Sequence, residues 1–177
     1  MKRFVRSMVV CLLSAAFIGC GSPGGDDDDP PPGGDDPGTG TFTVQGYEAQ
    51  SLTKAWTELD EGNLDLYLYS ETPDNASPQD FVNLTLNTSS LAAGTYSTAD
   101  GSLMSGTAGV DYTATAMTYT FLGDLDNLAE EGASTLTVAV SGSTYTLSYT
   151  LYVNPVDDAE TVVTVTGTYS GPLQNLE

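Results

Sequence analysis

The sequence contains no histidine, and only four lysines and arginines occur among its 177 residues. Three of these, Lys2, Arg3 and Arg6, lie at the start, so Lys54 is the only basic side chain beyond position 6. Without histidine there is no Ser-His-Asp relay, no imidazole-held zinc and no imidazole general base. With one lysine and no arginine in the body of the chain, phosphate cannot be clamped by a guanidinium fork, nor can phosphate counterions be displaced. Nucleic acid is thereby excluded as a partner. Cys11 and Cys20 are the only cysteines, both within the first twenty residues. Everything downstream therefore lacks a thiol nucleophile, an iron–sulfur ligand and a disulfide. No glycine-rich loop of the Rossmann or Walker type is present.

The chain does have 24 aspartates and glutamates, for a formal charge of −20. Met1–Arg6 is basic and Met8–Ile18 is an apolar run of eleven residues. That is too short to span a bilayer, which takes roughly 20 apolar residues, but it has the proportions of a signal peptide. The run leads into Phe17-Ile18-Gly19-Cys20, which resembles the lipobox of bacterial lipoproteins, although Phe17 stands where leucine is commonest. The resemblance implies that residues 1–19 are removed as a lipoprotein signal peptide. It also implies that Cys20 is acylated and that the protein is held in the bacterial cell envelope, at the outer membrane. Such a mature chain would set one basic residue against 24 acidic ones, a formal −23. An anionic membrane surface would repel it, so attachment has to be covalent, through the lipid on Cys20.

Residues 20–40 are rich in glycine, proline and aspartate, with acidic runs at Asp26–Asp29 and Asp35–Asp36. Nothing large and apolar lies after Cys20 in this stretch to offset the entropy of ordering, so it reads as a disordered tether. Fully extended, at about 3.1 Å per residue, it would hold a domain tens of ångströms from its anchor. The aspartates serve as a solvated spacer or, by resemblance to some surface lipoproteins, as a sorting signal.

From residue 41 to 177 the composition turns to Thr, Tyr, Val and Leu, which suit a pleated, half-buried surface. Leu64, Leu66 and Leu68 alternate with Asp65, Tyr67 and Tyr69. The same period of two runs through 82–87, 135–140, 144–153 and 163–168, the mark of antiparallel strands with one wet and one dry face. Further strands are expected at 42–47 and 112–121, with a short hairpin around Asp100-Gly101. Ser141-Gly142-Ser143 is the tightest turn signal. Residues 51–62 admit two readings: Leu52, Ala55, Trp56 and Leu59 have helical spacing, or the segment is a strand ending in a turn. Residues 122–132 read as a loop. The expectation is one all-β domain of about eight or nine strands, a small antiparallel barrel, with a two-sheet β-sandwich as the alternative.

Leu91-Ala92-Ala93-Gly94-Thr95-Tyr96 and the segment Val165–Leu173 resemble phrases in the calycin-like barrel lipoproteins of Bacteroidetes and related bacteria. The likeness implies a small barrel whose last strand pairs near the first, and it implies no activity.

Three functional classes remain. The first is a non-catalytic binding domain for a glycan, a small molecule or an envelope protein. If Leu64, Leu66 and Leu68 face the core, then Tyr67 and Tyr69 face out, near Trp56, where flat rings can stack on sugars or partners. The second is a structural or shielding role without a specific small ligand. The third is a carboxylate hydrolase, which needs only two acidic groups across a sugar. No cofactor is required by this reading; of the metals, calcium suits an oxygen-only donor set best, with Asp124, Asp126 and Glu130 as the candidate ligands.

Overall fold

The computed structural model describes residues 37–71, 77–126 and 132–175. Cys20, the signal segment and most of the tether lie outside them, as does Glu130. The described residues are all-β and contain no helix. In chain order the strands are β1 (Thr39–Val44), β2 (Ala49–Leu52), β3 (Lys54–Asp60), β4 (Asn63–Tyr69), β5 (Gln79–Leu86) and β6 (Gly94–Ser97). They are followed by β7 (Leu103–Tyr112), β8 (Phe121–Leu125), β9 (Thr135–Ser141), β10 (Thr144–Pro155), β11 (Val163–Gly171) and β12 (Gln174–Asn175).

All twelve belong to one sheet, ordered β12-β3-β4-β5-β7-β8-β10-β11-β1-β2, with β9 pairing β10 and β6 pairing β9. The pairings are antiparallel except for β12 on β3. A closed barrel of eight or nine strands is not formed, and neither is a pair of separate sheets. The sheet curls, but its ladder runs from β12 to β2 and does not close. β2 and β3 are successive pieces of one run interrupted at Thr53, the first pairing β1 and the second pairing β4. Leu52 is registered with Gly40 of β1, while Lys54 is registered with Tyr69 of β4.

The same interruption corrects the helical option for 51–62, which is strand on both sides of Thr53. Leu52 and Ala55 are both buried although three residues apart, because the strand's in–out parity reverses at the break. Trp56 and Leu59 do not join them in the core, so the helical spacing is incidental.

Three other expectations change. The turn at Asp100-Gly101 forms, its carboxylate accepting from the Ser102 amide at 2.9 Å, but the strands beside it do not pair with each other. β6 pairs β9, and β7 pairs β5 and β8. Nor is 112–121 one strand. Asp111 and Met117 hold positive φ of 52° and 51°, which turns the chain out of the sheet between β7 and β8. The segment 122–132 is likewise strand up to Leu125.

The alternating leucines and valines of every long strand converge on a single core, in which Leu52, Leu66, Leu68, Leu86, Leu136, Leu147 and Leu151 have no exposed surface. Burying each is worth about 1.5–3 kcal/mol. The curl of the sheet gives these side chains one common interior, and it presents the intervening residues outward as a continuous solvent face.

Candidate functional site

The outward residues of β3, β4, β5 and β7 form a grid fixed by the ladder register. Lys54, Tyr69, Phe81 and Gly109 lie in one row; Trp56, Tyr67, Asn83 and Thr107 lie in the next; Glu58, Asp65, Thr85 and Ser105 follow. Trp56, Tyr67 and Tyr69 are thus brought onto one face, as the alternation predicts, and each is half-buried. They are not alone there. Trp56 meets Tyr69 edge-on at 5.8 Å, Tyr69 stacks on Phe81 at 5.6 Å, and Phe81 meets the edge of Tyr112 at 5.6 Å. Four rings therefore run across four strands on the solvent side of the sheet.

Phe81 is the centre of this ladder. Only 6% of it is exposed, yet it does not belong to the core cluster. Its ring lies over Gly109, where the absent side chain leaves room for it. The sequence hides this role, because Phe81 and Val82 are adjacent apolar residues on opposite faces and only Val82 continues the alternating stripe. Tyr112 is displaced from regular register by a bulge opposite Gln79–Phe81, and it was expected inside a strand that does not exist.

Polar groups frame the rings. Trp56 Nε1 donates to Gln174 Oε1 at 2.9 Å, tying β12 to the patch. Tyr67 donates to Glu58 Oε2 at 3.1 Å, and Thr85 donates to Asp65 Oδ1 at 2.7 Å. Asn83 Nδ2 donates to the Tyr69 hydroxyl at 3.4 Å. Burial, together with the nearby Asp65 and Glu58 carboxylates, pushes the Tyr67 phenol well above its usual range. Burial also raises Tyr69, against a smaller opposing effect of the Asn83 hydrogen bond. Both hydroxyls therefore remain protonated donors rather than becoming charged.

Among the described residues, four buried side-chain atoms lack any hydrogen-bond partner. Three are in this patch: Gln79 Nε2, Gln79 Oε1 and Asn83 Oδ1. Gln79 precedes Phe81 on the same side of β5, is only 5% exposed, and sits opposite Tyr112. Each orphaned group carries a desolvation cost on the order of 1–3 kcal/mol, so their concentration around the aromatic ladder is a property of this patch and not of the domain at large.

The proposed calcium ligands are arranged differently. Asp124 is exposed on β8 and accepts a hydrogen bond from Thr107 Oγ1 at 3.1 Å. Asp126 follows the end of that strand, its amide donating to Tyr152 O at 2.8 Å. Among the described residues no group of three acidic, histidine or cysteine side chains is placed to hold a metal ion. A second surface feature is a shallow open groove of about 320 Å³ on β1, β10 and β11, lined chiefly by hydroxyls such as Thr41, Thr43, Thr166 and Thr168. It offers hydrogen bonds but no exposed ring and no charge.

Asp80 lies beside the patch at the start of β5. Burial raises its carboxyl above the ordinary range, the Asp111 amide bonded to Oδ1 at 3.0 Å opposes this, and the Asp111 charge adds to it. A raised acid weakens the fold at neutral pH and ceases to do so once protonated. Asp80→Asn is expected to be slightly stabilising at pH 7. That advantage should fade as pH falls into the window just above the normal carboxylate range, which paired urea titrations of the two proteins at several pH values would measure.

Comparison with known proteins gave no matching family, curated protein or solved structure.

Proposed function

We propose that this chain is a lipid-anchored protein of the bacterial envelope, attached through Cys20, whose β domain binds a glycan without catalysis. The binding surface in this reading is the outer face of β3, β4, β5 and β7. The observation that carries it is the ladder of Trp56, Tyr69, Phe81 and Tyr112 on the solvent side of the sheet. Sugar rings have apolar C–H faces that pack on aromatic rings, and hydroxyls that need both donors and acceptors. Tyr67, Asn83, Glu58 and Asp65 supply both kinds around the rings. The lipobox and the acidic tether are the grounds for the anchor and the spacer, and the Gly94-Thr95-Tyr96 and Gly167-Thr168-Tyr169 segments are the grounds for kinship with calycin-like lipoproteins.

Trp56 is the only tryptophan in the chain, so its fluorescence reports on this face directly. Titrating the full chain with soluble neutral polysaccharides should shift or quench that emission saturably. Trp56→Ala should weaken binding, followed by calorimetry, by about tenfold or more, in a protein that stays folded although its melting temperature falls with the loss of the Tyr69 contact and the Gln174 hydrogen bond. Equal binding by the variant, or no binding across a broad glycan panel, would remove this reading.

A further inference from the structure

The loops at one end of the sheet gather exposed apolar side chains, one of which, Met117, accepts a hydrogen bond through its sulfur from the Tyr112 hydroxyl of the aromatic ladder at 3.7 Å. The strand directions place four connections at this end, those after β1, β4, β7 and β10. Three of them are fully described and adjoin one another. Tyr47, between β1 and β2, packs its ring 5.4 Å from Phe121 at the start of β8. The Val156 amide, just after β10, donates to Leu122 O at 3.0 Å. Gln45 and Thr164 exchange two hydrogen bonds, at 2.9 Å from the Gln45 amide and 3.3 Å from the Thr164 amide. On this connected rim Met117 is 69% exposed, Val156 44%, and Tyr47 and Tyr119 39% each. Four of the seven large apolar residues exposed among the described residues therefore lie on one tip.

The charge of the tip has one sign. Glu48, Asp111, Asp157, Asp158 and Glu160 are all exposed there, and the three loops contain no lysine or arginine. Asp158 is held in place by Thr161 and by the Glu160 amide, and Asp111 accepts from Thr120 Oγ1 at 2.9 Å. Fixed carboxylates around an apolar centre are the complement of a segment that is both cationic and apolar. The chain enters the sheet at the opposite end, since β1 runs from Thr39 there to Val44 at the tip.

We propose that this tip is a protein-docking surface for a basic, amphipathic segment of another envelope protein. Met117, Tyr119, Tyr47 and Val156 take its apolar side chains, and the surrounding carboxylates take its lysines or arginines. Methionine and tyrosine suit such a role, because one adapts its shape and the other offers an apolar body with a polar end. The carboxylates steer the encounter, so association weakens as salt rises.

The test uses three synthetic peptides of equal length titrated against the full chain: one of lysine and leucine, one of lysine and serine, and one of glutamate and leucine. The lysine–leucine peptide should bind saturably at one site, with an affinity that falls as salt is raised, and the other two should bind at least about tenfold more weakly. The double variant Met117→Ser with Tyr119→Ser should reduce that binding by a similar factor. Both side chains are exposed, so its melting temperature should stay close to that of the parent. Trp56→Ala should bind the peptide normally. Equal binding of the lysine–leucine and lysine–serine peptides would reduce the effect to net charge and overturn the proposal. So would an unaffected double variant, or loss of binding in Trp56→Ala, which would place the peptide on the aromatic ladder instead.

Discussion

Gly167→Ala should cost this domain about 3 kcal/mol, near the upper end for overpacking a core, and lower its melting temperature by on the order of 10 °C. Gly167 is the inward position of β11 between Val165 and Tyr169, both buried. The Tyr149 ring, from the neighbouring strand, lies across it. A methyl group at Gly167 would overlap the Tyr149 hydroxyl, come within 2.5 Å of Tyr149 Cζ and reach 2.8 Å from the backbone oxygen of Thr41. The ring has little room to retreat, because it is 3% exposed inside the packed core. The Thr41 oxygen belongs to the backbone of β1, so relieving that contact means moving a strand. Tyr149→Phe in the same background should recover only part of the loss, since the carbonyl contact remains. Alone, Tyr149→Phe should stabilise the protein by about 1 kcal/mol, because it deletes a buried hydroxyl that has no partner. Thermal unfolding of the two single variants and the double variant, read as a cycle, would decide the matter. A Gly167→Ala protein that melts with the parent would mean that the Tyr149 ring does not occupy this position.

The inward half of this fold was legible because its signal is redundant. Leu64, Leu66 and Leu68, or Leu147, Tyr149, Leu151 and Val153, repeat the same in–out parity along several residues, and no other local structure accommodates that period. Breaks in parity were not legible. The break at Thr53 turned two strand segments into the image of a helical stripe. Partner choice was not legible either. Asp100-Gly101 encodes a reversal of direction, which the chain makes, but the strands it joins are drawn to β9 and to β5 by burial that no local turn specifies. The candidate site falls between these cases. Trp56, Tyr67 and Tyr69 were visible as outward aromatics on one side of a strand pair. Phe81 and Tyr112 were not, because one is masked by the apolar Val82 beside it and the other lies beyond a bulge.

That difference between faces gives the largest expected effect on binding, from Gly109→Ala. The substitution is chemically the same as Gly167→Ala, but its methyl group points to the solvent side. There it would overlap Phe81 Cε1 and come within 2.8 Å of Cζ and 3.1 Å of Cδ1. No backbone atom is among these contacts, so the ring can swing away without moving a strand. Phe81 also lies outside the core cluster, and the stability cost should stay near 1 kcal/mol, the lower limit for such overpacking. The aromatic ladder cannot survive that movement. Tyr69 and Tyr112 both rest on Phe81, and Trp56 rests on Tyr69, so displacing one ring removes the support of the other three. If the ladder is the glycan surface, Gly109→Ala should weaken glycan binding about as much as Trp56→Ala does, although no ring has been deleted. The fluorescence of Trp56 should shift as its packing against Tyr69 loosens. Intact binding together with a shifted Trp56 emission would show that the rings can move without consequence, and that the ligand, if there is one, is held elsewhere. Full loss of binding with the melting temperature nearly preserved would instead assign recognition to the arrangement of the rings and not merely to their presence.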